Sequence, residues 1–290
     1  MRGRGRKMEK IAAVVVTYNR PHILKKCLES MLAQTVVPER IYVIDNSPGT
    51  DTRSMIETYF SFVKYEHFPD NIGSEGGYCE GIKLAYEDSD YVWLLDDDCV
   101  SEKNALAELL KWAIMLGKEG KVGAVRSARS WDSEKDSPIL EIEDLFAWRG
   151  TLVSSEVVKK TGLPEKTLFL YGGDMEYGLR IRKAGYRMYL IFSSRIDSLD
   201  FSGKIQGKIG TVRTESYTQP FRIYYAYRNE LWVHIKYREY FKALKLFLHG
   251  VKNFCFHITG GKIKRAIAIL DGITDGAKKK LGKRRKYLPS

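Results

Sequence analysis

Residues 91–98 read YVWLLDDD, and this stretch decides the fold. Tyr91–Leu95 is an uninterrupted apolar run, which predicts a strand buried on both faces of a parallel sheet. Asp96–Asp98 follows directly. Adjacent carboxylates repel one another, so their position after a buried strand favours a site for Mg²⁺ or Mn²⁺, which take oxygen ligands. The alternative is an acidic turn that caps the following helix.

Similar strand and helix patterns extend on both sides of this stretch. The other predicted strands are Ile11–Val16, Ile41–Ile44, Phe62–Phe68 and Val122–Val125. Helical periodicity follows Pro21, continues from Gly73 to Ala85, and runs to Leu116 after Ser101, which can act as the N-cap. The alternation predicts an α/β domain with a mostly parallel central sheet flanked by helices.

Polar side chains stand at the ends of four predicted strands: Thr17–Asn19, Asp45–Asn46, Asn71 and Asp96–Asp98. In open α/β sheets, ligands bind beyond the carboxyl ends of the strands. The four polar strand ends therefore predict one binding site at this edge of the sheet.

Two glycine-containing segments carry further chemistry. Residues 71–77 (NIGSEGG) let the backbone approach a diphosphate or a sugar, or they form a turn without a ligand. Residues 172–180 (GGDMEYGLR) place Asp174 and Glu176 before a helix. A carboxylate there can take a proton from a hydroxyl nucleophile; the alternative is an acid that complements the helix dipole. The chain lacks H-E-x-x-H and G-x-S-x-G, which argues against zinc and serine hydrolases.

Composition limits the class of protein. The chain has 290 residues, 44% of them hydrophobic, which is enough for a sizeable core and excludes general disorder. It has no apolar run of ~18 residues, and no signal-peptide core follows MRGRGRKMEK. Four widely spaced cysteines suit neither a zinc site nor a disulfide framework, so we expect a cytoplasmic protein.

The net charge of +12 is concentrated at the C-terminal end. Residues 204–290 contain 20 Lys and Arg against 5 Asp and Glu, whereas the rest of the chain is slightly acidic. We expect a basic tail at 1–10, the α/β domain at 11–220 and a basic, aromatic-rich helical extension at 221–290. The extension is typical of a contact with an anionic membrane, with a solvated basic end as the alternative. The near-neutral body weighs against a nucleic-acid partner.

Five motifs occur in one order along the chain: VVVTYNRP, VIDNSPGTD, NIGSEGGY, LLDDDC and GGDMEYGLRIRKAGY. This order resembles the inverting family 2 glycosyltransferases, and most of all their rhamnosyl- and galactofuranosyltransferase group. The resemblance covers residues 10–230 or so. It implies the GT-A fold, a nucleotide-sugar-binding catalytic domain at 11–220, a nucleoside-diphosphate-sugar donor and a divalent cation, Mn²⁺ or Mg²⁺.

The resemblance also implies roles for single residues. Those that would bind the nucleotide-sugar at the first strand ends are Thr17, Tyr18, Arg20, Asp45, Asn71 and Gly77. Asp45 would accept a hydrogen bond from the base, a uracil or thymine. Asp96 and Asp97 would contact the nucleotide-sugar. Asp96 and Asp98 would hold the metal, and Asp174 would be the catalytic base.

The chain departs from the family at two places. The family often has a metal-ligating His after the base, but SSRIDSLDFSG contains none, so Asp197 or Asp200 would substitute for it. Gly172-Gly173 replaces the Trp that precedes the family's base. Two further residues are candidates: Glu176 as the next base in line, and Arg228, which matches an element near the acceptor.

The implied reaction is one in-line displacement at the anomeric carbon, which inverts its configuration. The donor would be a UDP- or dTDP-sugar, such as galactofuranose or rhamnose. The acceptor would be a hydroxyl of a glycan or a lipid-linked saccharide in cell-surface polysaccharide synthesis. A lipid-linked acceptor would bring the basic extension to the anionic inner face of the cell membrane. The alternatives are a sugar-nucleotidyltransferase, which needs a glycine-rich basic loop where this chain has TYNRP, and a basic nucleic-acid-binding protein.

Overall fold

The computed structural model describes residues 9–132, 137–142, 146–200, 202, 204 and 219–288. Of the basic tail predicted at residues 1–10, all but residues 9 and 10 lie outside these ranges. Within them the strands are β1 (Ile11–Thr17), β2 (Arg40–Asp45), β3 (Lys64–His67), β4 (Tyr91–Asp96), β5 (Cys99–Ser101), β6 (Val122–Ala128), β7 (Ile139–Glu141), β8 (Thr151–Ser154) and β9 (Arg187–Ser198). The helices are α1 (Pro21–Leu32), α2 (Asp51–Tyr59), α3 (Gly73–Ala85), α4 (Ala105–Glu119), α5 (Ser155–Thr161), α6 (Gly173–Lys183), α7 (Pro220–Lys236), α8 (Tyr240–Thr259) and α9 (Ile263–Ala277).

The strands form one sheet in the order β3-β2-β1-β4-β8-β6-β9-β5, with β7 paired to β9. The first four run parallel to their neighbours, as in the predicted mostly parallel sheet. β8 runs antiparallel to both β4 and β6, and β5 and β7 run antiparallel to β9. The predicted α/β class is confirmed, with a central sheet that is mixed. The predicted strands β4 and β6 do not pair directly, because β8 lies between them.

Side chains of β1 alternate between two apolar cores, one on each face of the sheet. Ala13 and Val15 belong to the core that α1 and α4 complete, whereas Ala12 and Val14 belong to the core that α3 and α5 complete. In β4, Trp93 belongs to the first of these cores and Leu94 to the second. Burial on both faces is the reason that these strands read as continuous apolar runs.

The helix predicted to begin at Ser101 begins later. Ser101 is the last residue of β5, and α4 starts at Ala105 with Asn104 as its N-cap. β5 pairs with β9, so sheet hydrogen bonds fix the backbone that the prediction assigned to a cap. The interpretation of Asp96–Asp98 as a helix cap fails for the same reason, because β5 separates these residues from α4.

The described residues form two compact units. The first, here called the sheet unit, takes its residues from Met1–Asn71, Gly77–Leu163 and Tyr177–Gly207 and contains all the strands described. The second, the helical unit, takes its residues from Ile72–Gly76, Pro164–Glu176 and Lys208–Ser290.

The helical unit contains α7, α8 and α9. They pack around an aromatic core in which Tyr224 stacks on Tyr287, with ring centroids 4.1 Å apart. The C-terminal extension is therefore helical, as predicted.

Candidate active site

The aspartates of residues 96–98 lie at the C-terminal end of β4, and their side chains have different surroundings. Asp97 is fully buried, and its carboxylate accepts hydrogen bonds from the Thr17 hydroxyl at 2.6 Å and from Arg20 Nε at 3.2 Å. These partners lie at the end of β1 and just before α1. They reach Asp97 because β1 and β4 are parallel neighbours. Asp97 thus fixes the position of the Arg20 guanidinium.

Asp96 and Asp98 form a cluster with Cys99. One potential ligand atom from each of the three residues lies within 4.8 Å of the other two. The Tyr78 hydroxyl donates to Asp96 Oδ1 at 2.6 Å, and Arg20 Nη1 lies 3.5 Å from Asp98 Oδ2. Both carboxylates are half-buried, so they keep a face open to an ion.

Burial raises the pKa of two carboxyl groups in this triplet. The pKa of Asp98 rises to about 7, first because the side chain is desolvated and then because Asp96 and Asp97 carry negative charge. The pKa of Asp97 rises to about 6 through burial, although Arg20 and Thr17 oppose the rise. Both groups therefore hold a proton more tightly than an exposed carboxyl group, chiefly because they are desolvated.

The donor set fits a divalent cation. Asp96 and Asp98 offer the oxygen atoms that Mg²⁺ and Mn²⁺ prefer. Burial raises the pKa of the Cys99 thiol well above its usual value, so the sulfur stays protonated and is a poor ligand for a hard cation. Asp97 is committed to Thr17 and Arg20, which leaves the outer two aspartates for the ion.

Asp45 lies at the end of β2 with its side chain fully buried. Its Oδ1 accepts hydrogen bonds from the N–H and the hydroxyl of Ser47, and its Oδ2 accepts one from the Tyr65 hydroxyl at 2.7 Å. Ser47 Oγ also accepts from the Asn19 N–H at 2.7 Å. Asp45 therefore joins the ends of β1, β2 and β3 through intramolecular hydrogen bonds.

The remaining predicted nucleotide-sugar residues lie around the same strand ends. Tyr18 is half-buried directly after β1. Asn71 is half-buried before α3 with a φ of 46°. Gly77 lies in α3, where an added Cβ would be 2.6 Å from Val16 Cγ1. Gly77 thus lets α3 pack closely against β1, which explains one glycine of the segment without a ligand.

Asp197 and Asp200, the expected substitutes for a metal-ligating His, make hydrogen bonds away from the cluster. Asp197 Oδ1 accepts from a backbone N–H at 3.0 Å. Asp200 Oδ1 closes a turn by accepting from two backbone N–H groups at 2.9 and 3.0 Å. The backbone of this stretch does pass beside the triplet, because the Leu199 N–H donates to the Asp98 carbonyl oxygen at 2.8 Å.

Sequence reasoning missed an aromatic stack next to Asp96. Tyr78 stacks on Trp148 with centroids 4.4 Å apart, and Trp148 in turn stacks on Tyr177 at 6.0 Å. The stack holds the Tyr78 hydroxyl toward Asp96. Neighbouring Arg149 also acts on the triplet, since its charge opposes the rise in the pKa of Asp98. Tyr78 follows the glycine segment and could have been singled out, whereas residues 148 and 149 stand in no motif.

The two candidate bases lie in the helical unit and differ in accessibility. Asp174 is half-buried in the first turn of α6, and its Oδ1 accepts from the Met175 N–H at 2.8 Å. Glu176 is fully buried, and its Oε1 accepts from Lys236 Nζ at 2.8 Å and from the Tyr237 hydroxyl at 2.7 Å. Glu176 is therefore held at the end of α7, and Asp174 is the more exposed of the two residues.

Arg228 is fully buried in α7 beside Asn229. Its guanidinium donates to the carbonyl oxygens of Leu168 and Gly282 at 2.7 and 2.6 Å. Its side chain is thus used inside the helical unit, without an exposed face for an acceptor.

Comparison with known proteins agrees with this geometry. The model of glycosyl transferase family 2 matches residues 12–156. The galactofuranosyltransferase GlfT1 of Mycobacterium tuberculosis (strain ATCC 25618 / H37Rv) is 28% identical over 255 residues, which cover 78% of this chain and 82% of that protein. The GalNAc(5)-diNAcBac-PP-undecaprenol beta-1,3-glucosyltransferase of Campylobacter jejuni is 27% identical over 215 residues, 64% of this chain and 66% of that protein.

Solved structures show the same fold at low sequence identity. GalNAc-T7, crystallised with UDP, GalNAc and Mn²⁺, superposes with a TM-score of 0.60 and 15% identity over 79% of this chain and 48% of that one. TarS of S. aureus gives a TM-score of 0.51 and 15% identity over 64% of this chain and 36% of that one. This chain therefore spans less than half of either structure. These neighbours show the GT-A fold. Because the model of glycosyl transferase family 2 matches half of the chain, the chain belongs to that family.

Proposed function

We propose that this glycosyltransferase moves a sugar from a UDP- or dTDP-sugar to a hydroxyl of a glycan or lipid-linked acceptor, with inversion at the anomeric carbon. Galactofuranose and rhamnose are the proposed sugars. The names of its relatives support the class of substrate, since one is a galactofuranosyltransferase and another acts on a saccharide linked to undecaprenol through a diphosphate. The observation that carries the proposal is the outer aspartate pair at the end of β4, with Asp97 held apart by Arg20.

The proposed donor site lies in the sheet unit, within a catalytic domain of residues 11–220. Thr17, Tyr18 and Arg20 face the nucleotide after β1. Asp45 acts through the hydrogen bonds that fix Ser47 and the neighbouring strand ends, and the base binds beside them. Asn71 and Gly77 shape the start of α3. Asp96 faces the ribose and the sugar, and the buried Asp97 contributes by holding the Arg20 guanidinium. The buried hydrogen bonds of Asp97 support this assignment, because they fix the Arg20 guanidinium in a position to bind the diphosphate.

Asp174 is the proposed general base. It takes the proton of the acceptor hydroxyl as that oxygen bonds to the anomeric carbon and the bond from this carbon to the diphosphate oxygen breaks. One displacement of this kind inverts the configuration and needs no covalent intermediate. Asp96 and Asp98 would hold a divalent cation, which would neutralise charge that grows on the diphosphate.

Nucleotide binding can be tested without knowledge of the sugar. We expect UDP or dTDP with Mn²⁺, at ~100 times its Kd, to raise the melting temperature by about 5 °C or more. Single-stranded DNA of equal concentration should leave it unchanged. A shift with DNA and none with either nucleotide would contradict the proposal and favour the nucleic-acid alternative. A panel of nucleotide-sugars then identifies the donor.

Metal binding should depend on pH through Asp98. Its raised pKa of about 7 means that the group is mostly protonated at pH 6 and mostly ionised at pH 8. A cation displaces that proton at pH 6, so we expect Mg²⁺ to bind about tenfold more tightly at pH 8. The stability of the metal-free protein changes with pH in the opposite direction. Because the pKa of Asp98 is raised in the folded state, the free energy of unfolding falls as pH rises from 4 to 7.

Calorimetric titration with Mg²⁺ at the two pH values checks this expectation. Asp98→Asn should weaken binding and remove the pH dependence. Asp200→Asn is the matched control, because Asp200 hydrogen-bonds within its own turn. Equal Mg²⁺ affinity of Asp98→Asn and the unsubstituted protein would show that the ion lies elsewhere.

The helical unit is the proposed contact with an anionic membrane, at the inner face of the cell membrane. None of the helices described is both long and apolar enough to cross a bilayer. α8 nevertheless exposes a row of large apolar side chains at helical spacing, here called the α8 face: Tyr240, Phe241, Leu244, Phe247, Leu248, Val251 and Ile258. Three lysines of the same helix, Lys242, Lys245 and Lys252, are also exposed.

An apolar helix face accompanied by lysines is typical of an amphipathic helix that lies in the plane of the membrane surface. Lysine charges disfavour pairing of the α8 face with a second copy of the chain, because like charges would meet. They favour anionic lipid, at ~1 kcal/mol for each residue near the surface. The basic residues at 278–286 add to this charge, and all seven are exposed.

A further inference from the structure

The backbone directly before Asp174 is strained. Phe169 has φ 66° and ψ −62°, and the Leu170 N–H donates to the Leu168 carbonyl oxygen at 2.8 Å, so this is a γ-turn of the rare positive-φ type. Tyr171 follows with a φ of 62°. Residues other than glycine rarely adopt such angles, and they persist only where the surroundings impose them.

Asn229 imposes this conformation from α7. Its Nδ2 lies 2.9 Å from the Leu168 carbonyl oxygen and 2.7 Å from the carbonyl oxygens of Leu170 and Tyr171. One fully buried amide thus contacts three carbonyls of the strained segment. The amide thus supplies a side-chain donor to carbonyl oxygens of a segment that lies between the α-helices and strands.

Arg228 fixes Asn229 and extends the same contact. Its Nε donates to Asn229 Oδ1 at 2.7 Å, its Nη2 to the Leu168 carbonyl oxygen at 2.7 Å, and its Nη1 to the Gly282 carbonyl oxygen at 2.6 Å. The planar guanidinium fork suits three acceptors in fixed directions. The segment 168–171 is therefore attached to α7 and to the chain that follows α9.

Two glycines allow the segment to lie this close. Gly172 has a φ of 81°, and a Cβ there would be 3.1 Å from Asn229 Cβ. A Cβ on Gly173 would overlap the carboxylate of Glu75, whose N–H donates to the Phe169 carbonyl oxygen at 3.2 Å. The Gly-Gly pair in place of the family's Trp is thus required by packing within the helical unit.

We infer that Asn229 and Arg228 are positioning residues for Asp174. They hold the segment 168–171 in a conformation that it would not adopt alone, and this sets where α6 begins and where the Asp174 carboxylate stands. Phe169 and Tyr171 are two of six described non-glycine residues with a positive φ, and they stand five and three residues before the reacting group. The inference rests on the proposed role of Asp174 as the base.

The Asn229→Ala variant tests the inference. With the donor that the nucleotide-sugar panel identifies, we expect kcat to fall about 10- to 100-fold, because small displacements of a reacting group have costs of this size. The donor KM should change less than about twofold, since the proposed donor residues lie in the sheet unit. Hydrogen exchange should accelerate in peptides that cover 168–176. Tyr227→Phe is the matched control: it removes another hydrogen bond of α7, to Asn253, and should change neither turnover nor this exchange.

A double-variant cycle separates this inference from the proposed base. In the Asp174→Asn background, Asn229→Ala should reduce turnover little further, because both changes act through one carboxylate. A full additional loss, or unchanged exchange across 168–176, would overturn the positioning role. Wild-type turnover of Asp174→Asn alone would overturn the proposed base, and the exchange data would still decide whether Asn229 holds the segment. If Asn229→Ala does not fold, Arg228→Lys is measured in the same way, since it keeps the charge and loses the fork.

Discussion

We expect the Asp174→Asn variant to lose at least ~100-fold in kcat, the lower range for removal of a general base. Asparagine keeps the size of the side chain and can still accept from the Met175 N–H, so the start of α6 should remain intact. Binding of UDP with Mn²⁺ should be unchanged, because the proposed nucleotide and metal ligands lie in the sheet unit. Steady-state kinetics and calorimetry on the same preparation measure the two effects.

Glu176→Gln is the matched control for this experiment. Glu176 is two residues further along the same helix and accepts from Lys236 and Tyr237. Loss of its charge leaves a lysine without its partner, so we expect a lower melting temperature with turnover reduced far less than in Asp174→Asn. The opposite order of the two variants in kcat would make Glu176 the base.

The double variant Phe241→Ser/Leu248→Ser should lose at least ~100-fold in affinity for vesicles that contain anionic phosphatidylglycerol. Phe241 is 81% exposed and Leu248 58% exposed, so neither side chain supports the fold. Burial of each in a lipid boundary contributes ~1.5–3 kcal/mol, and ~1.4 kcal/mol corresponds to a factor of ten. Vesicle sedimentation at low and high salt measures the loss and separates it from the charge contribution.

A control pair in the sheet unit excludes a general effect of lost apolar surface. Phe62→Ser/Leu140→Ser removes the same two residue types at positions that are 59% and 52% exposed. This pair should bind vesicles like the unsubstituted protein. Unaltered binding by the α8 variant, or an equal loss in both pairs, would exclude the α8 face as the membrane contact.

Sequence alone predicted the parallel half of the sheet because β1, β2 and β4 are buried on both faces. Their side chains must be apolar at every position, which gives a pattern readable without knowledge of their neighbours. β5 and β8 were missed because they have three and four residues. Strands this short are defined by the partners that they hydrogen-bond, and partners distant in the chain leave no local pattern.

In the candidate site, too, the sequence predicted some features, and others depend on contacts between distant residues. The polar ends of the strands were sufficient to predict that Thr17, Asp45 and Asp96 lie at one edge of the sheet, since the carboxyl ends of parallel strands meet there. The pattern DDD could not show that Asp97 is buried by Thr17 and Arg20, whereas Asp96 and Asp98 remain accessible. That difference comes from contacts about 80 residues apart in the chain.

Arg228 illustrates the limit most clearly. The family resemblance implied a place near the acceptor for this arginine, yet the structure buries it completely. Burial of a cation is favourable only where acceptors are arranged around it, and here they are backbone carbonyls of two distant segments.

The hydrogen bond from Arg228 to the Gly282 carbonyl oxygen limits how the C-terminal end of this protein can be changed or shortened. Lipid-facing appendages are often regarded as modules that can be deleted or exchanged between enzymes. In this chain, a C-terminal truncation that begins at or before residue 282 would also remove the Gly282 carbonyl oxygen, which accepts a hydrogen bond from Arg228. A variant that changes the proposed membrane contact would thus have to keep the chain that follows α9 and replace only the exposed side chains of α8.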